Sequence, residues 1–333
     1  MPELPDLVHV ERKLNEAVVG WTISAIRVGD PTVFRIMVAE PFPAVLQGRS
    51  VATIERRGHF IVFGLEPALT LAVNCMLAGK FQLANPGDKV PKSMALGLTL
   101  TPPGGASTTA RELRYLDDIR MGKIYVVPTD RVNEVPVLST LGIDLLSPAF
   151  TLDVFRGLAR KRRDQVRPFL MDKSTLASIG NAYADEILFA ARLHPKTFVR
   201  KLSPDDIDRL YAAIGDVTRR AIDEIDGRDE AIEIKVRDFL SVRGRTGQPC
   251  PACGTKLRAV RVGDGDAVFC PQCQPATRTL FVDWGKLNPQ PKPEGEAATS
   301  AKPAPQLPAS LVRAPASAPA AKRSSPSRRR PRG

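Results

Sequence analysis

The sequence lacks any apolar run approaching the roughly 20 residues a membrane-spanning helix needs. Its opening carries Glu3 and Asp6 and lacks the basic start of a secretory signal. A cytoplasmic protein with no membrane partner is therefore expected. No solenoid-type repeat runs through it. Cysteine is scarce, at five in 333 residues, and one of the five, Cys75, stands apart from the rest. Acid is short relative to base, for a net charge of +12.

That charge is unevenly spread. From Leu287 onward nine Lys/Arg face two Asp/Glu, a net +7, which leaves +5 for the first 286 residues. Ten of the 30 prolines lie in the same tail, in runs such as "AKPAPQLPAS" and "SSPSRRRPRG". Such composition cannot bury a core, so disorder is expected over 285–333. A basic extension suits a polyanion, most simply nucleic acid, or serves only as a solubilising tail.

What is present before the tail reads as α+β. Apolar residues Leu4, Leu7, Val8, Val10, Leu14, Ala17 and Val18 recur at helical spacing over 3–18. Short β-like runs follow, among them "WTISAIRVG", "SVATIERR", "HFIVFGL", "LTLAVNCML", "LGLTLT", "ELRYLD" and "KIYVVP", punctuated by Gly, Pro and Asp. This pattern predicts a sandwich or barrel. From about Val137 the character turns helical. "TLDVFRGLARKRRDQVRPFLMD" and "NAYADEILFAARL" each predict a helix, as does "SPDDIDRLYAAIGDVTRRAIDEI", with Ser203 as N-cap.

Four of the five cysteines, Cys250, Cys253, Cys270 and Cys273, form C-x2-C-x16-C-x2-C. This is zinc-ribbon spacing: each pair sits on a tight turn, with a Gly-Asp hairpin between them. Disulfides are the alternative, and a reducing compartment disfavours them. Four thiolates leave no open position, so one structural zinc ion is expected. Cys75, in an apolar strand, reads as a core residue and not a nucleophile.

Three stretches together carry a specific resemblance: "MPELPD", "RPFLMDKSTLASIGNAYADEILF", and the four cysteines led in by "GRTGQPC". Over about 1–284 the chain resembles the formamidopyrimidine-DNA glycosylase/endonuclease VIII family. The resemblance implies an N-terminal β-sandwich with flanking helices (1–136), a helix–two-turns–helix domain (137–244) and a four-cysteine zinc finger (245–284). The partner it implies is damaged double-stranded DNA, bound by a monomer in a bacterial-type cytoplasm, at the nucleoid.

By this resemblance Pro2, exposed once Met1 is removed, is the nucleophile. Its secondary amine has the low basicity of an α-amino group, lowered further by the start of the helix beside it. Attack on C1′ gives an iminium, after which elimination cuts the strand. Glu3 and Asp6 share one face of the first helical turn, and Glu3 becomes the general acid/base at the sugar. Asp6 stands where the family usually has Glu, one methylene shorter. Read without the downstream motifs, the same two acids are helix-capping residues. His59, in "RRGHFIVFGL", occupies the place of a phosphate-contacting lysine, and a catalytic or a structural histidine are both open there.

The family fills the gap left by an extruded base from two loops. "NCMLAGKFQL" supplies Leu77 or its neighbour Met76. "DDIRMGKIY" supplies Arg120 and Met121. Asn181 in "SIGNAYADE" is implied as a phosphate donor, Gly180 as the residue that permits a tight turn, and Arg162 as a DNA-binding cation. Two features depart from the family. Gly265, between Asp264 and Asp266, stands where an arginine is usual, and "EIKVRDFLSVRGR" leaves no room for the loop that caps 8-oxoguanine. The expected activity is that of a bifunctional DNA glycosylase/AP lyase acting on oxidised bases. The alternative is a lesion-binding protein on the same scaffold with weakened catalysis.

Overall fold

The computed structural model describes residues 1–104 and 110–276, so the expected tail (285–333) lies outside the described residues. The chain starts with helix α1 (Leu4–Val18), whose buried face carries Leu4, Leu7, Val10, Leu14, Ala17 and Val18. Nine strands follow: β1 (Thr22–Val28), β2 (Phe34–Ile36), β3 (Ser50–Arg57), β4 (Phe60–Glu66), β5 (Leu69–Asn74), β6 (Lys80–Ala84), β7 (Met94–Thr101), β8 (Arg111–Leu116) and β9 (Lys123–Pro128). They pair in the order β2-β9-β5-β4-β3-β1-β7-β8-β6. All neighbours are antiparallel except β2 and β9.

This single ladder doubles back on itself. Strands β4 and β6 are five places apart, about 24 Å in a flat sheet. Yet the rings of Phe63 on β4 and Phe81 on β6 are 5.8 Å apart. Register shifts in β1, β3 and β7 supply the bends. The two halves enclose one core with Ile23, Ile54, Phe63, Leu71, Leu98 and Leu113, and α1 packs into it through Leu7, Val10 and Leu14. The sandwich expected from the short β runs is what forms. Strands β2 and β6 were not among the predicted runs. β6, a five-residue strand, lies just after the "NCMLAG" loop.

The helical part has α2 (Leu152–Arg160), α3 (Val166–Met171), α4 (Asn181–Ala190) and α5 (Pro204–Arg228), with a two-residue parallel pair, β10 (Ile143–Asp144) and β11 (Leu176–Ala177). Their own core includes Phe155, Phe169, Ile187, Leu210 and Ile214. The stretch expected to be helical over 151–172 forms two helices, α2 and α3. The chain turns at 161–165, where the Val166 amide bonds to the Thr197 carbonyl at 2.8 Å and the Val199 amide to the Asp164 carbonyl at 3.0 Å. Those tertiary bonds replace the helical ones the local sequence would have made. Ser203 caps α5 as expected: its hydroxyl accepts the Asp206 amide at 3.1 Å, and the Asp206 carboxylate accepts the Ser203 amide at 3.0 Å. Helix α5 packs on both α1 and α4. Last comes the hairpin β12 (Arg258–Val262) and β13 (Gly265–Phe269), turned by Gly263 at φ +59°. Among the described residues no helix is long and apolar enough to cross a membrane.

Candidate active site

The start of α1 and the start of α4, nearly 180 residues apart in sequence, meet. The Glu3 carboxylate accepts backbone N–H groups from Gly180 (3.1 Å), Ala182 (3.0 Å) and Tyr183 (3.1 Å). It sits on the positive end of α4 and is only 5% exposed. Burial raises its pKa, opposed by those amides and by Arg237. Gly180 is what permits the approach, because a Cβ there would lie 2.4 Å from Glu3 Cδ. Its backbone is extended, at φ −115° and ψ −166°. The tight turn expected of Gly180 is therefore not its role; close passage of a carboxylate is.

Asp6 faces the same space. One of its oxygens accepts the Glu3 amide at 2.7 Å. Its carboxylate also holds Arg237 by two bonds, one of them Nη1 to Oδ1 at 2.7 Å. The Arg237 guanidinium lies over the Tyr183 ring, 5.2 Å from its centroid. The shorter reach of aspartate is thus met by an arginine brought to it from the segment after α5.

The amino terminus lies beside these groups. The Met1 amine donates to the Leu77 carbonyl at 2.8 Å. Burial first, then the charge on Lys235, lowers its pKa to about 6. Pro2 is buried, in a narrow cleft with Asp6, Cys75, Phe81, Ile232 and Lys235. Cys75 is 2% exposed and burial pushes its thiol up to about 12, so it is a core residue as expected.

His59 lies in the turn just before β4 and is 2% exposed, and among the described residues neither ring nitrogen has a hydrogen-bond partner. Burial, with Lys173 and Arg56 adding to it, lowers its pKa to about 3. The imidazole is neutral throughout the physiological range, so it does not supply the charge of a lysine. The nearby half-buried cation is Lys173, in the turn before β11. Arg56 is spent on Asp144, at 2.6 Å.

Two loops flank the amino terminus. At the end of β5, Met76 adopts φ +48°, with its amide bonded to Asn74 Oδ1 at 3.0 Å, which turns Leu77 outward. Leu77 is 54% exposed, whereas Met76 is only partly so. In the second loop Asp117 accepts the amides of Ile119, Arg120 and Gly122 at 3.1, 3.0 and 2.6 Å. This lifts Ile119, Arg120 and Met121 into solvent, and Arg120 forms an exposed ion pair with Asp30 at 2.8 Å. Ile119, 56% exposed, was not singled out in the sequence.

Asn181 begins α4 and is exposed; its Oδ1 accepts from Arg167 Nη2 at 2.7 Å, which leaves its Nδ2 to donate outward. Arg162 is not free. It binds Asp164 (2.8 Å) and Asp172 (2.7 Å) and stacks on Phe169 at 5.5 Å. Two acids thus hold this arginine in place, within a run that also carries Arg160, Lys161 and Arg163.

The sulfurs of Cys250, Cys253, Cys270 and Cys273 all lie within 4.8 Å of one another. None is in a disulfide. Cys253–Cys270 is 3.4 Å and Cys250–Cys273 is 3.9 Å. Thiolates about 2.3 Å from a tetrahedral zinc ion stand about 3.8 Å apart, so the donor set fits one structural zinc.

Comparison with known proteins agrees with this geometry. Residues 1–124 match the model of the formamidopyrimidine-DNA glycosylase N-terminal domain, 141–231 that of its H2TH domain, and 247–276 the zinc finger found in FPG and IleRS. The formamidopyrimidine-DNA glycosylase of Pelotomaculum thermopropionicum is 31% identical over 282 residues, covering 82% of this chain and 99% of that one. The chain belongs to the formamidopyrimidine-DNA glycosylase family. The enzyme of Exiguobacterium sibiricum is 34% identical over 280 residues, with 82% and 99% covered. Among solved structures, the Lactococcus lactis Fpg in complex with abasic-site DNA has a TM-score of 0.72 at 26% identity, covering 83% of this chain and all of that one. The same protein bound to N7-benzyl-Fapy-dG DNA gives 0.72 at 27%.

Four residues of the site, Arg237, Lys235, Lys173 and Arg167, were not singled out one by one, although each lies in a stretch quoted for the resemblance or for its departure from it. Only the fold shows which of them reach the site. The finger, by contrast, was legible from spacing alone. Zinc removal is expected to unfold it locally, since metal-binding energy is folding energy in such modules. Hydrogen exchange should then show Arg258–Phe269 losing protection on chelation while β4 and β5 keep theirs.

Proposed function

We propose that this glycosylase is bifunctional: it excises oxidised bases in base-excision repair and then cleaves the strand as an AP lyase, with Pro2 as nucleophile. The observation that carries this is the seating of Glu3 on the α4 amino terminus beside a desolvated chain terminus. Loss of Met1 exposes the Pro2 secondary amine in the same cleft. Its nitrogen lone pair forms a bond to C1′, and the glycosidic electrons leave with the base, which takes up a proton. The nitrogen then loses its proton, and its lone pair expels the ring oxygen: the C1′–O4′ bond breaks as Glu3, its pKa raised by burial, delivers a proton to O4′, and the iminium forms. The C2′ proton then becomes acidic, and its removal expels the 3′ phosphate.

Leu77, Met121 and Ile119 are the exposed apolar groups available to fill the space of an extruded base, with Arg120 between the last two. DNA entry exchanges the Asp30–Arg120 pair for a contact to the nucleic acid. Ring-opened purines and oxidised pyrimidines suit the site better than 8-oxoguanine, because "EIKVRDFLSVRGR" contains no capping loop. The protein then acts in a bacterial cytoplasm, on chromosomal DNA.

Trapping tests this reading. Incubated with abasic-site duplex and borohydride, the Met1-processed protein should give a covalent adduct that Pro2→Gly abolishes. No adduct at any lesion sinks it, and the second reading then stands: a lesion binder with lost catalysis, favoured by the uncharged His59 and by Gly265.

The pH dependence follows from the same groups. The attacking amine must be unprotonated, and burial with Lys235 lowers the Met1 amine at this terminus to about 6. A Pro2 amine in the same surroundings shifts in the same direction, so adduct formation should rise with pH and level off below the ordinary α-amino pKa of about 8. His59, at about 3, titrates below that rise, so His59→Gln should leave the profile's midpoint in place. A fall in rate centred near pH 6.5 that His59→Gln removes would restore histidine as an acting cation.

A further inference from the structure

We infer that Arg167, buried beneath the zinc hairpin, binds a backbone phosphate of the DNA through the opening that Gly265 leaves. The inference rests on the reading of DNA as substrate and assigns a contact within it. Arg167 comes from α3 and is 2% exposed. Its Nε donates to Asp185 Oδ1 at 2.9 Å, and its Nη2 donates to Asn181 Oδ1 at 2.7 Å and to the Asp266 carbonyl at 3.2 Å. Among the described residues Nη1 has no partner. A Cβ on Gly265 would lie 3.7 Å from that same Nη1 and 3.4 Å from Asn181 Oδ1. The unused edge of the guanidinium therefore lies under a hairpin residue that has no side chain to cover it.

The charge balance favours an anion. Asp185 is fully buried and already saturated. It accepts Arg167 at 2.9 Å, Arg243 Nη1 at 2.7 Å and the Val268 amide at 3.0 Å. Two arginines on one carboxylate leave one positive charge uncompensated within the cluster. Asn181, its Oδ1 held by Arg167, keeps its Nδ2 free to donate. The guanidinium is planar and fixed in place before any ligand arrives, and its free Nη1 edge suits a phosphate diester, an acceptor-only anion. Asp264 and Asp266 flank the opening with exposed carboxylates. They are screened by solvent, while Arg167 is held in a low-dielectric setting where its attraction counts for more.

Gly265 is the place to test this, because its backbone is not left-handed and accepts a side chain. In Gly265→Leu the side chain covers Nη1 without changing charge, whereas in Gly265→Ala a single methyl touches it and covers it only in part. The probe is a duplex containing a stable abasic-site analogue, with methylphosphonates replacing single phosphates in turn. For the wild type, one position near the lesion should cost about tenfold in Kd when neutralised, the worth of one charge-assisted bond. In Gly265→Leu that same replacement should cost nothing further, and the slope of log Kd against log salt should fall by about one. Gly265→Ala should fall between wild type and Gly265→Leu, and zinc content should be equal in all three. If every methylphosphonate costs the same in wild type and in Gly265→Leu, Arg167 does not reach a phosphate. A wild type that does not bind the duplex at all would instead remove the DNA reading itself.

Discussion

Replacing Glu3 with glutamine is expected to lower the rate of base excision by roughly 10²–10⁴-fold, the usual worth of a positioned acid or base. Glutamine has nearly the same shape and still offers one carbonyl oxygen, so it keeps part of the seat on α4. Its amide group, however, faces backbone donors of Gly180, Ala182 and Tyr183 that the carboxylate accepts. Donor against donor leaves at least one buried N–H without a partner, at a cost of about 1–3 kcal/mol. The two effects separate by measurement. Single-turnover excision should fall by orders of magnitude at a temperature where denaturation shows the variant fully folded. Binding to an abasic-analogue duplex should change little, because Glu3 is buried against protein. A rate within threefold of wild type would remove Glu3 from the proton transfers.

Removing Arg237 is expected to be among the most destabilising single changes, by about 3–5 kcal/mol for Arg237→Met. The change strands the Asp6 carboxylate, which is 8% exposed and whose two oxygens are bonded to Arg237. It also removes the cation stacked on Tyr183. A double-mutant cycle checks the cause. Asp6→Asn removes the buried charge, so the pair Asp6→Asn/Arg237→Met should be more stable than Arg237→Met alone by urea denaturation. If the double variant is as unstable as the sum of the singles, the two residues are not coupled and the ion pair does not organise the site.

The sequence carried some of this and not the rest, for physical reasons visible in particular residues. The four cysteines were legible because metal ligation imposes a spacing, and spacing survives in one dimension. Helix α1 was legible because its apolar face repeats at helical period. Glu3 and Asp6 were legible as neighbours on one turn, but not as ligands of α4 amides and of Arg237, which lie 177 to 231 residues further on. The ion pairs of Arg162 were not legible, because an arginine looks the same in sequence whether it faces solvent or acids such as Asp164 and Asp172. His59 was legible as a departure from the family pattern. Its consequence was not, since only burial beside Lys173 and Arg56 makes it neutral. Gly180 was noticed for the wrong property: an extended glycine that admits a carboxylate looks, in sequence, like one that turns a chain.

The central claim is that the chain's own terminus, after loss of Met1, is the nucleophile. Its most direct test is peptide mapping by mass spectrometry of the borohydride-trapped adduct on abasic-site DNA. The account predicts a single modified peptide that begins at Pro2, lacks Met1 and carries the sugar remnant on the proline nitrogen. Two lysines stand close enough to compete, Lys235 beside the amine and Lys173 beside His59. An adduct mapped to either lysine, or one formed equally well with Met1 retained, would contradict it.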